Sequence, residues 1–115
     1  MNTGSIKMKG KLDIWRFFMG LLAVQPYVKV QRQIIDGELV SEEEERKIYL
    51  YQDRLVTKHR EFPIRDISDL SFRKMGDEGG LLYVHTSRGI FSYTVPSSPE
   101  SFIKAFRVHI KKEYF

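Results

Sequence analysis

The residues most able to do chemistry are three histidines, and their spacing indicates no metal site. His59, His85 and His109 form neither an HExxH nor a His-x-His motif, so a metal ion would require three separate elements to converge on it. This pattern favours partly buried or surface histidines. The chain contains no cysteine, which excludes disulfides, thiolate ligands and a cysteine nucleophile.

Asp66 and Asp69 are close enough in sequence to form a pair of carboxylates. General acid–base catalysis would also require a cleft and a shifted pKa. The polar stretch around them, between two extended segments, favours turn capping instead.

The serines and glycines lack the patterns of catalytic or phosphate-binding loops. Ser87, Ser97 and Ser98 are not in a Gly-x-Ser-x-Gly nucleophile elbow. Gly76–Gly80 is not followed by Lys-Ser/Thr, so it predicts a hairpin turn. We therefore expect no enzyme activity, no cofactor and no metal.

Basic residues provide the first candidate binding surface. Three of them fall on one predicted strand, where residues two and four positions apart share a face, and three others lie near predicted turns. We predict a face that binds an anion or a partner, formed by Arg54, Lys58, Arg60, Arg73, Lys74 and Arg88. Tyrosines nearby would allow bases to stack, but no nucleic-acid-binding motif is present, so no specific nucleic acid is expected.

The second candidate surface is the apolar segment 14–19. Trp15, Phe17 and Phe18 could contact a membrane surface or another subunit. The alternative is that they fill the core, which a small domain needs all its large apolar groups to build.

Charge is distributed unevenly along the 115 residues, whose formal net charge is +4. Residues 36–45 hold six acidic residues and no basic one, which leaves nineteen basic residues against nine acidic ones elsewhere. Such a basic body could attract anionic lipid, nucleic acid or an acidic protein surface, although a solvated surface is the alternative.

The longest apolar stretch, residues 14–24, contains Arg16 and Gly20 and falls short of the roughly 20 apolar residues that span a bilayer. Lysines precede it as in a signal peptide, but Gln25 and Pro26 make a poor cleavage site. Together with the absence of cysteine, this predicts a cytoplasmic protein, with peripheral membrane contact as an option.

Alternation predicts a strand over residues 6–14, whereas residues 14–24 fit either a strand or a helix, with a slight preference for helix. Pro26 is expected to break the chain before a strand Tyr27–Ile35. Asp36-Gly37 predicts a turn, and the Glu42–Glu45 run predicts a solvated segment.

The second half has clearer signals. Period-two patterns predict strands around residues 48–51, 54–60, 62–64, 67–75, 81–86 and 90–95, joined by short turns. A capping box of Ser97 and Glu100 then opens an amphipathic helix with Phe102, Phe106 and Ile110 on one face. The chain is therefore predicted to be mainly β, as a single domain over residues 1–115.

Residues 46–112 resemble the bacterial pleckstrin-homology-like (PH/GRAM-like) domains. The resemblance lies in the succession of strands Ile48–Val56 and Phe62–Leu70, the hairpin Leu82–Tyr93 and the capped helix Ser97–Ile110. It implies a partly open antiparallel barrel of about seven strands with a C-terminal helix, to which residues 1–45 would contribute the first strands. Family members differ in ligand, so the fold carries no function with it.

Phosphoinositide-binding members of that family hold phosphates in a basic loop between the first two strands. The corresponding segment here, Asp36–Glu45, is acidic and would repel a phosphate. The sequence therefore predicts a non-enzymatic module for protein–protein interaction or self-association. The alternative is peripheral association with an anionic membrane surface through the basic face.

Overall fold

The structure, a computed structural model, describes residues 20–114. It is mainly β: seven antiparallel strands form one open, unclosed sheet, followed by a C-terminal helix. The strands are β1 Leu21–Ile35, β2 Glu38–Tyr51, β3 Arg54–Val56, β4 Glu61–Pro63, β5 Ile67–Lys74, β6 Gly80–Thr86 and β7 Gly89–Val95, and the helix α1 is Glu100–Tyr114. The predicted fold class is confirmed. The strand predicted over residues 6–14 lies outside the described residues, as do Trp15, Phe17 and Phe18.

Strands β1 and β2 form a hairpin that is longer than the sequence predicted. Asp36 and Gly37 both have positive φ, 53° and 79°, as a two-residue type I′ turn requires. The predicted turn is confirmed. The prediction of an acidic loop over Asp36–Glu45 is wrong beyond Gly37, because β2 begins there. Glu38–Glu45 belong to β2, where cross-strand pairs such as Lys29 and Glu44 place opposite charges together. The glutamates of the run are exposed, as expected.

Pro26 does not break the chain, because it lies inside β1 opposite Lys47 of β2. Residues that flank a two-residue turn form a hydrogen-bonded pair, and such pairs then alternate along the hairpin. Counting back from Ile35, the even-numbered residues of β1 direct their backbone groups away from β2. The missing N–H of Pro26 therefore costs no bond to β2. The slight preference for helix over residues 14–24 is wrong for residues 21–24, which are strand.

The middle of the sheet is a weak junction between β1 and β7. The sheet order is β4-β3-β2-β1-β7-β6-β5, yet β1 and β7 are in register only at Val28 and Thr94. If this pairing were extended by two residues towards the start of β1, Pro26 would lie opposite Pro96. Neither proline has an N–H to donate. If the pairing were extended towards the end of β1, Val30 would lie opposite Ser92. The two strands diverge at this point and do not pair.

The strand predicted over Arg54–Arg60 is shorter in the structure. Strand β3 ends at Val56, since a turn closes directly after it: the N–H of Thr57 donates to the carbonyl oxygen of Arg60 at 2.8 Å. The N–H of Arg60 donates back to the Thr57 hydroxyl at 3.2 Å. Lys58, His59 and Arg60 therefore lie in the β3–β4 turn, not on a strand.

Strands β5, β6 and β7 form an antiparallel meander, and both predicted turns within it are confirmed. The second turn has two residues, Ser87 and Arg88, because Thr86 pairs with Gly89. In the first turn, a Cβ atom on Gly80 would collide with the backbone oxygen of Arg73, and one on Gly79 would collide with that of Val95. These glycines permit a close approach of backbone segments that no larger residue would allow.

Helix α1 begins at Glu100 rather than at the predicted capping box. The hydroxyl that accepts the N–H of Glu100, at 3.4 Å, belongs to Ser98 and not to Ser97. The predicted apolar face is confirmed, since Phe102 and Phe106 are buried and Ile110 is half-buried.

The core lies between the curled sheet and the helix. Helix α1 contacts both β1, in the middle of the sheet, and β5, at one edge. At the other edge, Phe62 of β4 packs on Phe91 of β7 with 5.1 Å between ring centroids. Among the largest fully buried side chains are Phe106, Ile48, Leu50, Leu55, Ile64, Leu70, Leu82 and Val84.

Removing the Phe106 ring tests this packing. Phe106 is 1% exposed, so we expect Phe106→Ala to lower the free energy of unfolding by about 3–5 kcal/mol through lost burial and a cavity. Val108→Ala is the matched control on the same helix, because Val108 is 56% exposed and should cost less than about 0.5 kcal/mol. Urea denaturation measures both, and equal effects would contradict a buried helix face.

Candidate functional site

The three histidines lie on three separate elements. His59 is exposed in the β3–β4 turn, which corrects its prediction as a strand residue, whereas His85 is on β6 as predicted. Nε2 of His85 lies 2.6 Å from the Ser71 hydroxyl, and Nε2 of His109 donates to the carbonyl oxygen of Gln52 at 2.7 Å. Within residues 20–114, no group of three histidine or acidic side chains could hold a metal ion.

The two aspartates lie on different elements and have different partners. Asp66 ends a short 3-10 helix, and its backbone oxygen accepts the N–H of Ser87 at 3.3 Å. Asp69 lies within β5 and pairs with Arg107 of α1 at 3.3 Å. The predicted turn role is therefore wrong for Asp69, whose carboxylate links the sheet to the helix.

The six basic residues predicted to form one face are divided among several places. Arg54 is held by Asp53 at 2.8 Å and Glu61 at 3.2 Å, and its guanidinium lies 4.4 Å from the centre of the Tyr51 ring. Lys58 pairs with Glu44 at 3.0 Å. The expected common face of these residues does not form, since β3 ends before Lys58.

Arg73 and Lys74 lie at the opposite end of the meander from Arg88. Lys74 pairs with Gly80 at the start of β6, whereas Arg88 follows the end of β6. A strand of this length separates them by about 20 Å. The structure therefore brings together only Arg60 and Arg88, which line one cavity of about 390 Å³ with His59 between β4 and the β6–β7 turn.

A larger cleft lies where β1 and β7 diverge, and we call it the β1–β7 cleft. Its volume is about 590 Å³, within the usual range for ligand pockets. It is lined by residues of β1, β2, β7 and the β3–β4 turn: Tyr27, Val28, Lys29, Val30, Gln31, Arg46, Thr57, His59, Arg60, Ser92, Tyr93 and Thr94. Three of these are permanent cations, and no Asp or Glu is among the described residues that line it.

Aromatic rings form the floor of the cleft. Tyr27 and Tyr93 meet edge to face with centroids 5.1 Å apart, and the Tyr27 hydroxyl accepts the N–H of Lys58 at 3.3 Å. Burial raises the pKa of Tyr93 above its usual value, so its hydroxyl stays protonated at neutral pH. Arg60 stacks over Phe91 at 4.6 Å from the ring centre, which fixes its guanidinium at the rim.

Sequence reasoning missed two cations of this cleft. Lys29 was hidden in an apolar strand, and Arg46 follows the acidic run. The signal that could have found them is the Asp36-Gly37 turn: a type I′ hairpin closed there pairs Lys29 with Glu44 and Tyr27 with Arg46. One-dimensional spacing cannot show that β7 and the β3–β4 turn lie beside them.

Glu44 connects the cleft to the acidic run, because it forms ion pairs with Lys58 and Arg46. The hydrogen bond from Lys58, followed by that from Arg46, lowers the pKa of the Glu44 carboxyl below its usual value. A lowered folded-state pKa stabilises the folded state above the ordinary pKa, and this contribution is lost as the pH falls through the lowered value.

The two most exposed large apolar side chains among the described residues lie at the end of the β1–β2 hairpin. We call residues 29–45 the ribbon, because the two strands there are paired only with each other among the described residues. At its tip Ile34 is 76% exposed and Leu39 67% exposed, and the two are cross-strand partners. The acidic run masked this apolar tip in the sequence.

No protein-family model matches the chain, and no curated protein is significantly similar to it in sequence. The resemblance to PH-like domains therefore stays a prediction. In the described part of the chain, no helix is long and apolar enough to cross a membrane.

An NMR titration of the Glu44 carboxyl tests the ion-pair arrangement. We expect its pKa to lie below 4.5 and to rise towards that value in Lys58→Gln, because the largest cause is removed. Arg46→Gln should raise it less. Lys104→Gln, on helix α1, is the control and should leave the pKa unchanged. An unshifted pKa in the wild type would contradict the paired geometry.

Proposed function

We propose that this protein is a non-enzymatic, PH-like interaction module that self-associates through its ribbon. The observation that carries the proposal is the two-stranded extension of β1 and β2 beyond the body of the sheet. Every residue from Lys29 to Leu39 is exposed. An isolated two-stranded hairpin is only marginally stable in water, so a partner that covers it would stabilise it.

One face of the ribbon is suited to such a partner. Side chains alternate between the two faces of a strand, so Val30, Ile34 and their cross-strand neighbours share one side. That side presents the exposed apolar groups Val30, Ile34 and Leu39. An exposed apolar stripe of this kind is typical of interaction surfaces.

The charges on the same face fit a second copy of the chain. Arg32 lies on it opposite Ser41, and Glu43 and Glu45 lie on it opposite Val30 and Val28. In a two-fold arrangement the same patch meets itself, so Arg32 of each copy can face the glutamates of the other. Apolar contact would then provide the affinity and the charges would set the alignment.

The non-enzymatic part of the proposal is supported by the placement of the polar groups. His59, His85 and His109 are on separate elements, and Asp69 is engaged by Arg107. We propose a cytoplasmic location for the module, with contact to a membrane surface as the alternative below.

Light scattering coupled to size-exclusion chromatography tests self-association. We expect the wild type to show a mass that increases with concentration, and the double variant Ile34→Ser with Leu39→Ser to weaken association by at least about tenfold, since two apolar anchors are lost. Ile90→Ser is the matched control, because Ile90 is 63% exposed but lies outside the ribbon. A wild type that stays monomeric at all concentrations would refute the proposal.

The β1–β7 cleft favours a second candidate, which is association with an anionic membrane surface. Lys29, Arg46 and Arg60 line it, and although Arg46 is paired with Glu44 outside the lining, such clusters attract anionic headgroups. The ribbon beside the cleft carries the glutamate run, which would repel the same surface. Because the glutamates would repel an anionic membrane, we rank membrane binding below self-association.

Co-sedimentation with anionic phosphatidylserine vesicles tests the second candidate. If it holds, binding will fall with added salt, because at about 0.1 M salt exposed charges more than about 10 Å apart are largely screened from each other. The double variant Lys29→Gln with Arg60→Gln should then reduce binding, whereas Arg73→Gln with Lys74→Gln removes equal charge at a distant turn and should not. Equal losses in the two variants would indicate only a general effect of net charge.

A further inference from the structure

We propose that the β1–β7 cleft binds an extended, acidic peptide segment of a partner protein, which adds a strand to the open edge of β7. This inference rests on the proposed role as a protein-interaction module and names the partner's chemistry. It concerns the cleft, which shares Val30 with the apolar face of the ribbon but does not include Ile34 or Leu39.

The first support is that both walls of the cleft are strand edges. Strand β7 pairs with β6 on one side, and the two-residue turn Ser87-Arg88 fixes which residues bond across that hairpin. Gly89, Phe91 and Tyr93 direct their backbone groups to β6. Ile90, Ser92 and Thr94 direct theirs to the β1 side.

Of these three residues, only Thr94 is paired with β1. It is in register with Val28, whereas the next such residue, Ser92, is in register with Tyr83 of β6 but with no residue of β1. Opposite it, Val30 directs its N–H and C=O away from β2 by the same alternation. A peptide that is added to a sheet as an extra strand forms hydrogen bonds with such open backbone donors and acceptors.

The second support is the charge of the walls, which selects an acidic peptide. Lys29 is on the β1 wall and Arg60 is held at the rim by Phe91, whereas Arg46, on β2 behind them, is already paired with Glu44 and leaves these two cations to a ligand. Side chains on one face of a bound strand recur every second residue, so acidic residues at alternate positions could meet these cations in turn.

The third support is that the floor of the cleft is formed by buried and half-buried side chains that carry both apolar and hydroxyl groups. The Tyr27–Tyr93 pair and Thr57 lie beneath the cleft. Tyr27 is 5% and Thr57 6% exposed. Tyr27 lies on the same face of the sheet as Lys29 and Arg46, so the methylene groups of the acidic side chains would contact these rings, while the hydroxyl groups can bond to polar atoms of the bound strand.

NMR titration of the full chain with two synthetic peptides tests the inference. One peptide alternates valine with glutamate, and the other alternates valine with lysine. We expect the glutamate peptide to shift the backbone amides of Val30, Ile90 and Ser92, and the lysine peptide to leave them unshifted. Absence of any shift, or equal shifts with both peptides, would overturn the proposal.

Two substitutions at one position separate a peptide strand from a simple anion. Ser92→Pro removes the N–H that faces the cleft without removing a bond to β6, and it should weaken glutamate-peptide binding by about tenfold. Ser92→Ala keeps that N–H and should bind like the wild type. Val30→Pro provides the same test from the other wall if circular dichroism shows that Ser92→Pro does not fold.

Titrations with inorganic phosphate and with phosphatidylserine vesicles identify other sources of negative charge. If either shifts the same amides while Ser92→Pro leaves glutamate-peptide binding unchanged, the cleft is a small-anion site and the peptide proposal is wrong. Ribbon self-association is measured separately, so the proposed function can fail while peptide binding holds, or the reverse.

Discussion

The structure depends on a single narrow connection between two halves of its sheet. Strands β4-β3-β2-β1 and strands β7-β6-β5 are each well paired, but between them the register contains only Val28 and Thr94. The shared hydrophobic core must therefore hold the halves together. Phe102 and Phe106 of the helix, with Leu50 on one half and Leu82 on the other, belong to that core. Loss of apolar contact, more than loss of hydrogen bonds, would separate the halves.

Much of this fold could be predicted from local sequence patterns. The Asp36-Gly37 turn, the glycine turn at residues 76–80 and the final amphipathic helix each have a strong local cause, and all three are present. Predictions failed where pairing overrode composition. Pro26 and the Glu42–Glu45 run both oppose strand formation in isolation, yet the hairpin register holds them in β1 and β2.

The candidate site was much less predictable than the fold. Of the six cations proposed from sequence, Arg60 and Arg88 share a cavity, while Arg54 is engaged by its own acidic neighbours. Lys29 and Arg46 entered the cleft only through cross-strand pairing. Which cations converge depends on how the sheet curls and where β1 leaves β7, and both are set by long-range packing that periodicity does not encode.

The same narrow connection has a consequence for how the chain assembles. In the β1–β2 hairpin, residues close in sequence pair around a two-residue turn. Each new pair therefore closes only a short loop of chain, at little cost in conformational entropy. The contact of Val28 with Thr94 closes a loop containing most of the described chain and gains few hydrogen bonds in return. It should form last during folding and open first on warming, an order that native-state hydrogen exchange would reveal. The protein's slowest folding step would then be the joining of the two halves of its sheet.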